Sequence, residues 1–125
     1  MSSYRLQRVS DEIKRIVADI FIRDLPHEGA GLITVTKVVC TSDLREARIY
    51  VSIYNQDKAV VKKTMQQIRH EATFIRGLVG HRLLLRFVPK LLFFYDDSQE
   101  YAENIERLFQ NIHKEDTSES EEGNG

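Results

Sequence analysis

Apolar residues recur three and four positions apart at Leu6, Val9, Ile13, Ile16, Val17 and Ile20. That spacing puts them on one stripe of a helix and predicts a first helix over residues 5–23. Residues 24–31, Asp-Leu-Pro-His-Glu-Gly-Ala-Gly, end it, because proline and the small residues cannot carry a helix onward. From Leu32 to Val39 the chain is rich in Val, Ile and Thr and predicts a strand. Residues 40–45 read as a turn, with Ser42 and Asp43 suited to bonding their own main chain. Strict alternation follows. Ala47, Ile49, Val51 and Ile53 are separated by Arg48, Tyr50, Ser52 and Tyr54, as in a strand with one face on a core and the other partly in water.

The second half of the chain returns to helical spacing. A helix beginning at Asn55–Asp57 carries the stripe Val60, Val61, Thr64, Met65 and Ile68, which resumes at Ile75, Leu78 and Val79. The polar run Arg69-His70-Glu71 and the β-branched Thr73 predict a kink or break at 71–73. The apolar segment 83–88 is closed by Pro89, which stops any helix before it. Residues 91–95 predict a third strand, with Phe93 and Tyr95 on the core face. Phe94 and Tyr54 are then the outer-face candidates for base stacking. Asp97–Glu100 resembles a capping box, and Tyr101, Ile105, Leu108, Phe109 and Ile112 form the stripe of a last helix. The predicted order is α-β-β-α-(kink)-α-β-α. It implies an α+β domain over residues 1–113, in which helices cover a three-stranded sheet.

Charge changes this picture from a fold to a function class. The chain of 125 residues has a net charge of −1, but residues 58–90 hold Lys58, Lys62, Lys63, Arg69, Arg76, Arg82, Arg86 and Lys90 against the single acid Glu71. A solvated helix face ordinarily intersperses acids for i,i+4 pairing, and here one acid is available. Residues 91–113 carry one base and five acids, as do residues 114–125. The latter, without aromatics, read as a disordered acidic tail. A folded basic face points to a polyanion, most often nucleic acid.

Catalytic and metal chemistry find little support. There is no glycine-rich phosphate loop followed by Lys-Ser/Thr, no His-x-x-x-His and no Cys-x-x-Cys. His27, His70, His81 and His113 are spread over different elements, so no metal site, cofactor or catalytic group is assigned. Cys40 is the only cysteine and reads as a small buried residue. Asp96-Asp97 reads as a turn into a helix cap. Gly77-Leu-Val-Gly80 matches the G-x-x-G pattern, but its apolar middle continues the helical stripe. Gly80 therefore reads as a helix C-terminal residue and Gly77 as a close-packing site. There is neither an N-terminal apolar h-region nor an apolar run near 18 residues, so a cytoplasmic protein without a membrane span is expected.

Longer matches carry a family resemblance from about Arg5 to Ile112. They are Arg8-Val9 before the first helical stripe; Thr34-Val35-Thr36-Lys37-Val38 with Asp43-Leu44, Ala47 and Tyr50-Val51-Ser52; and Phe74-Ile75-Arg76, Leu85-Arg86, Pro89, Leu91, Phe93 and Asp96-Asp97-Ser98. Together they resemble the ribosome-binding factor A family of bacterial small-subunit maturation factors. The resemblance implies a KH-like domain of the second type, in which an A-x-G interhelical kink replaces the G-x-x-G loop. Here that kink falls on Glu71-Ala72-Thr73, which lacks the glycine, so a milder bend is expected.

The resemblance also implies binding to free small ribosomal subunits and their rRNA, a role in late maturation and 5′-end processing, importance in the cold, and no enzymatic activity. A GTPase is the implied release partner, and a monomer with no small-molecule substrate is expected. The expected RNA contacts are Arg69, His70, Thr73, Arg76, Arg82 and Arg86, with Lys37 and Arg45 behind them; Arg8 is either a contact or a helix-start surface residue. The alternatives are a KH-like module for other RNAs and a basic domain that docks acidic proteins.

Overall fold

The computed structural model describes residues 3–98 and 105–110. The first apolar stripe becomes α1 (Ser3–Arg23), followed by β1 (Leu32–Cys40), β2 (Glu46–Tyr54), α2 (Lys58–His70), α3 (Ala72–Arg82) and β3 (Lys90–Tyr95). Residues 105–110 are helical, within the last predicted helix. The expected capping box at Asp97–Glu100, the helix ends at Tyr101 and Ile112, and the acidic tail at 114–125 lie wholly or partly outside the described residues. Other boundaries move by a residue or two, as helix and strand ends do.

The sheet order is β1-β2-β3. β1 and β2 form an antiparallel hairpin from Leu32↔Tyr54 to Cys40↔Ala47, with a register shift between Val35 and Lys37. β2 and β3 are parallel from Glu46↔Lys90 to Val51↔Tyr95. A parallel neighbour cannot be reached by a tight turn, so the chain must cross over, and α2 and α3 are that crossover. The alternating residues of β2 behave as their period requires. Ala47, Ile49, Val51 and Ile53 are buried, whereas Arg48 and Tyr54 are exposed. They meet Ile13, Ile16 and Ile20 of α1, Ile68 of α2, and Ile75 and Val79 of α3 in one core. Each isoleucine so buried contributes about 1.5–3 kcal/mol relative to exposure. The Cys40 thiol is buried as well, and desolvation pushes its pKa up.

The helices begin and end for local reasons. The Asp57 carboxylate accepts from the Ala59 N–H at 2.9 Å and caps α2. Buried Thr64 turns its hydroxyl back to the Val60 carbonyl at 2.7 Å, so no polar atom is stranded. The break falls at one residue, Glu71, with φ −88° and ψ 0°. Its N–H is shared between the carbonyls of Gln67 and Ile68 at 3.0 and 3.1 Å, and its own carbonyl opens α3 by accepting from Ile75 at 2.8 Å. These dihedrals are open to any L-residue, so this junction turns without a glycine.

A long-range contact holds the junction. His27, in the α1–β1 loop, places Nε2 3.0 Å from the Glu71 carboxylate, with its side chain only 8% exposed. Its ring meets Phe21 edge-on at 5.9 Å, and Phe21 meets Phe93 at 6.2 Å. Nothing in the residues next to His27 in the sequence marks it for this role.

Of the two glycines of the G-x-x-G match, the close-packed one is Gly80, in the last turn of α3, and not Gly77. Both lie inside α3, which continues to Arg82. A Cβ on Gly77 would meet nothing within 4 Å, so Gly77 is not a close-packing site. A Cβ on Gly80 would stand 3.0 Å from Val88 Cγ2, so Gly80 is where the 83–89 segment packs on α3. Glycine spacing does not say which side of a helix a neighbour approaches.

Gly29 and Gly31 both have positive φ, at 83° and 91°, but only Gly31 faces an obstacle, since its Cβ would run into the Tyr54 carbonyl. Gly31→Ala is therefore expected to cost about 3 kcal/mol or more, and Gly29→Ala about 1 kcal/mol. Urea unfolding of the two variants against the parent checks the gap; equal losses would mean that the close approach at Gly31 does not matter.

Candidate nucleic-acid interface

All eight expected contact residues are exposed, but they do not form one surface. Arg69 and His70 close α2, Thr73, Arg76 and Arg82 ride on α3, and Arg86 lies in the segment leading to β3. Arg45 belongs to the β1–β2 turn, whose carbonyl at Arg45 accepts from the Lys90 N–H at 2.8 Å. The turn is thereby brought to the end of β3 that Arg86 approaches. Lys37 pairs across from Tyr50 on the sheet face away from the core. Arg8 is exposed on α1.

The arginines differ in what holds them. Arg69 Nε donates to the Phe93 carbonyl at 3.2 Å. Arg76 donates twice to the Val88 carbonyl, from Nε at 3.2 Å and Nη2 at 2.7 Å. A carbonyl fixes a guanidinium without neutralising it, so both keep a full charge and spare donors. Arg82 is different, since its two terminal nitrogens meet Asp19 at 3.0 Å and Asp24 at 2.8 Å. It fastens the end of α3 to the end of α1, where Asp19 also meets Arg23 at 3.1 Å. Arg86 reaches over the Phe87 ring, 5.8 Å from its centroid. That segment also carries Leu84, fully exposed, and Phe87, 75% exposed, so apolar groups protrude among the cations.

The outer sheet face carries the other features expected. Phe93 is buried against the helices and Tyr95 is half-buried on the same side; Phe94, on the opposite side, stacks on Tyr50 at 5.5 Å and 28°. Tyr54 is exposed at the far end of β2. Asp96 is part of this face rather than a catalytic carboxylate, since its Oδ2 accepts from the Thr36 hydroxyl at 2.6 Å and its Oδ1 from the Ser98 N–H at 2.9 Å. Among the described residues, no group of three His, Cys, Asp or Glu could hold a metal, and no helix is long and apolar enough to cross a membrane.

Two measurements test these assignments. Arg82→Ala should lower stability by about 1 kcal/mol, because the ion pairs it leaves are partly solvated, and the loss should shrink in high salt. Urea midpoints at two salt concentrations report it; an unchanged midpoint would leave Arg82 without a structural role. The Asp96 carboxyl is held below its usual 3.8, first by Ser98 and then by Thr36. The folded chain thus resists protonation more than the unfolded one, so the contribution is complete above 3.8 and fades as pH falls below it. Asp96→Asn should flatten the acid limb of the stability profile, and a parallel profile would refute the assignment.

The fold is shared with solved structures. A Thermotoga maritima protein described as a candidate ribosome binding factor A is 22% identical, with 78% of this chain and 92% of that one covered at a TM-score of 0.65. The crystal structure of ribosome-binding factor A from Thermus thermophilus is 19% identical, covering 72% and 94% at 0.60. Coordinates of the Thermus thermophilus factor fitted to a cryo-EM map of a 30S complex are also 19% identical, covering 70% and 91% at 0.60. At these identities the neighbours speak for the α+β, KH-like order and not for the residues of a site. A sequence model described as ribosome-binding factor A matches residues 5–109, and the chain therefore belongs to the ribosome-binding factor A family.

Proposed function

We propose that this protein binds the free small ribosomal subunit through its rRNA and assists the late maturation of that subunit. The observation that carries this reading is the state of Arg69 and Arg76. Main-chain carbonyls of β3 and of the residue two before it aim both guanidiniums, and neither is neutralised by them. Cations held in place with their charge intact suit phosphates, because little side-chain freedom is lost on binding. His70, Thr73, Arg86 and Arg45 are exposed as well. Family membership supports the ribosomal reading, as does the relative placed in a 30S complex.

On this reading the protein is a cytoplasmic, monomeric holder of RNA. It grips phosphates of an immature rRNA arrangement and keeps them in place while the 5′ end is processed, with greatest importance in the cold. It uses no catalytic group of its own, and a GTPase drives its release. Arg82 contributes mainly by fastening α3 to α1.

Co-sedimentation with free small subunits, large subunits and whole ribosomes tests the proposal. Binding should be confined to the free small subunit and should weaken steeply with salt. Arg45→Glu with Arg86→Glu removes two exposed cations, of which Arg45 has only a long, solvent-exposed pairing with Asp43 at 3.8 Å. The pair should weaken binding about a hundredfold at low salt while leaving the unfolding midpoint in place. Equal binding to all three particles, or an unaffected double variant, would sink it.

A further inference from the structure

We infer that a second element of this surface, a cleft at the end of the sheet, takes a single unpaired nucleotide. The cleft has a volume of about 780 Å³ and opens where β3 stops short of β2. The last β3 residue, Tyr95, is paired with Val51, so among the described residues Ile53 and Tyr54 border this space on the side where β3 would have continued. The inference rests on the nucleic-acid reading above and names the ligand of one part of that surface.

The walls divide by chemistry. Lys58, Lys62 and Arg69 line one side, and their spacing of four and seven residues places them along the same flank of α2. Arg107, from the helical residues 105–110, lines the cleft as well. Lys62, Arg69 and Arg107 therefore bring three cations to this cleft, and among the described lining residues there is no carboxylate. Asp57, which precedes Lys58, is turned to the Ala59 N–H as the cap of α2. Such a concentration of charge in a concave site focuses a positive potential and selects an anion carrying more than one negative oxygen, as a phosphate does.

The remaining lining selects what the phosphate is attached to. Val61 and Met65 of α2 give an apolar surface, and Tyr54 and Tyr95 add aromatic rings beside the cations. A flat base can lie against such a surface, and stacking of this kind is tolerant of base identity. The cleft is of the size that holds one small ligand, and a double helix would not enter it. Phosphate, planar ring and small volume together describe a nucleotide unit, supplied either by an unpaired position in an RNA strand or by a free nucleotide. Arg69 lies both on this wall and at the start of the α2–α3 surface, so an RNA strand that fills the cleft continues onto that surface.

The test uses the full chain with three probes: a short single-stranded poly-uridine, uridine 5′-monophosphate, and a short RNA duplex of the same charge. Affinity is read by fluorescence anisotropy and location by amide NMR shifts. The single strand should bind with shifts at Ile53, Tyr54 and the Lys58–Met65 turns of α2. Saturable shifts there with the monophosphate would make the nucleotide itself the ligand; shifts with the strand alone would assign the site to RNA. Lys62→Glu should weaken strand binding about tenfold, whereas Lys14→Glu on α1, an equal change of charge, should leave it in place. Unchanged thermal unfolding of both variants keeps folding out of the comparison. Equal losses for the two variants, shifts confined to α3 and residues 83–88, or preference for the duplex would each overturn the inference. Small-subunit binding that survives Lys62→Glu, with no strand binding, would remove the cleft and leave the ribosomal proposal standing. Strand binding in the cleft without subunit binding would do the reverse.

Discussion

The parallel pairing of β2 with β3 is the constraint from which the rest of this molecule follows. Two parallel neighbours must be joined by a crossover, and α2 with α3 is the segment that makes it. The crossover lays the most basic stretch of the chain over the sheet, where Ile68, Ile75 and Val79 anchor it to the core. It also brings the exposed flanks of both helices beside β3 and its lead-in, whose carbonyls at Phe93 and Val88 receive Arg69 and Arg76. The shortness of β3 matters equally. Because it ends opposite Val51, the last residues of β2 border a cleft there among the described residues. Fold and surface thus share one cause.

A crossover of two helices needs a turn between them, and the way this chain makes it departs from expectation. A glycine at the bend would supply dihedral freedom; Glu71 needs none, because its φ of −88° and ψ of 0° lie within reach of any residue. What it needs is a partner that selects this bend over a continuous helix. His27 is placed to be that partner, since its buried ring fixes the Glu71 carboxylate to the α1–β1 loop and packs on Phe21 of α1. The bend is thus specified from outside the two helices, through a side chain more than forty positions away.

That distance explains which features could be read from the sequence. Periodicity is local, and so the stripe of α1, the alternation of β2 and the interruption near residue 71 were legible, together with the order of elements and the segregation of charge. The partners of individual side chains are not local. Arg82 finds Asp19 and Asp24 across 63 and 58 residues, and nothing in the run from 58 to 90 signals that one of its cations is already matched. Gly77 and Gly80 show the same limit at shorter range, because the tight approach at Gly80 is made by Val88, beyond the helix end. Local spacing located the glycines but could not say which one a neighbour would crowd.

A count of charges and a count of usable charges are therefore different quantities. Among the arginines of the basic stretch, Arg82 is spent on internal carboxylates, whereas Arg69 and Arg76 are held by neutral carbonyls. Only the second kind presents a fixed, unneutralised guanidinium to a phosphate. This division also accounts for how a surface so rich in like charge can be part of a stable fold. The arginine nearest the acids of α1 is paired, and the others are spread along two helix flanks and a turn, where water and salt screen their mutual repulsion until a polyanion replaces the counterions.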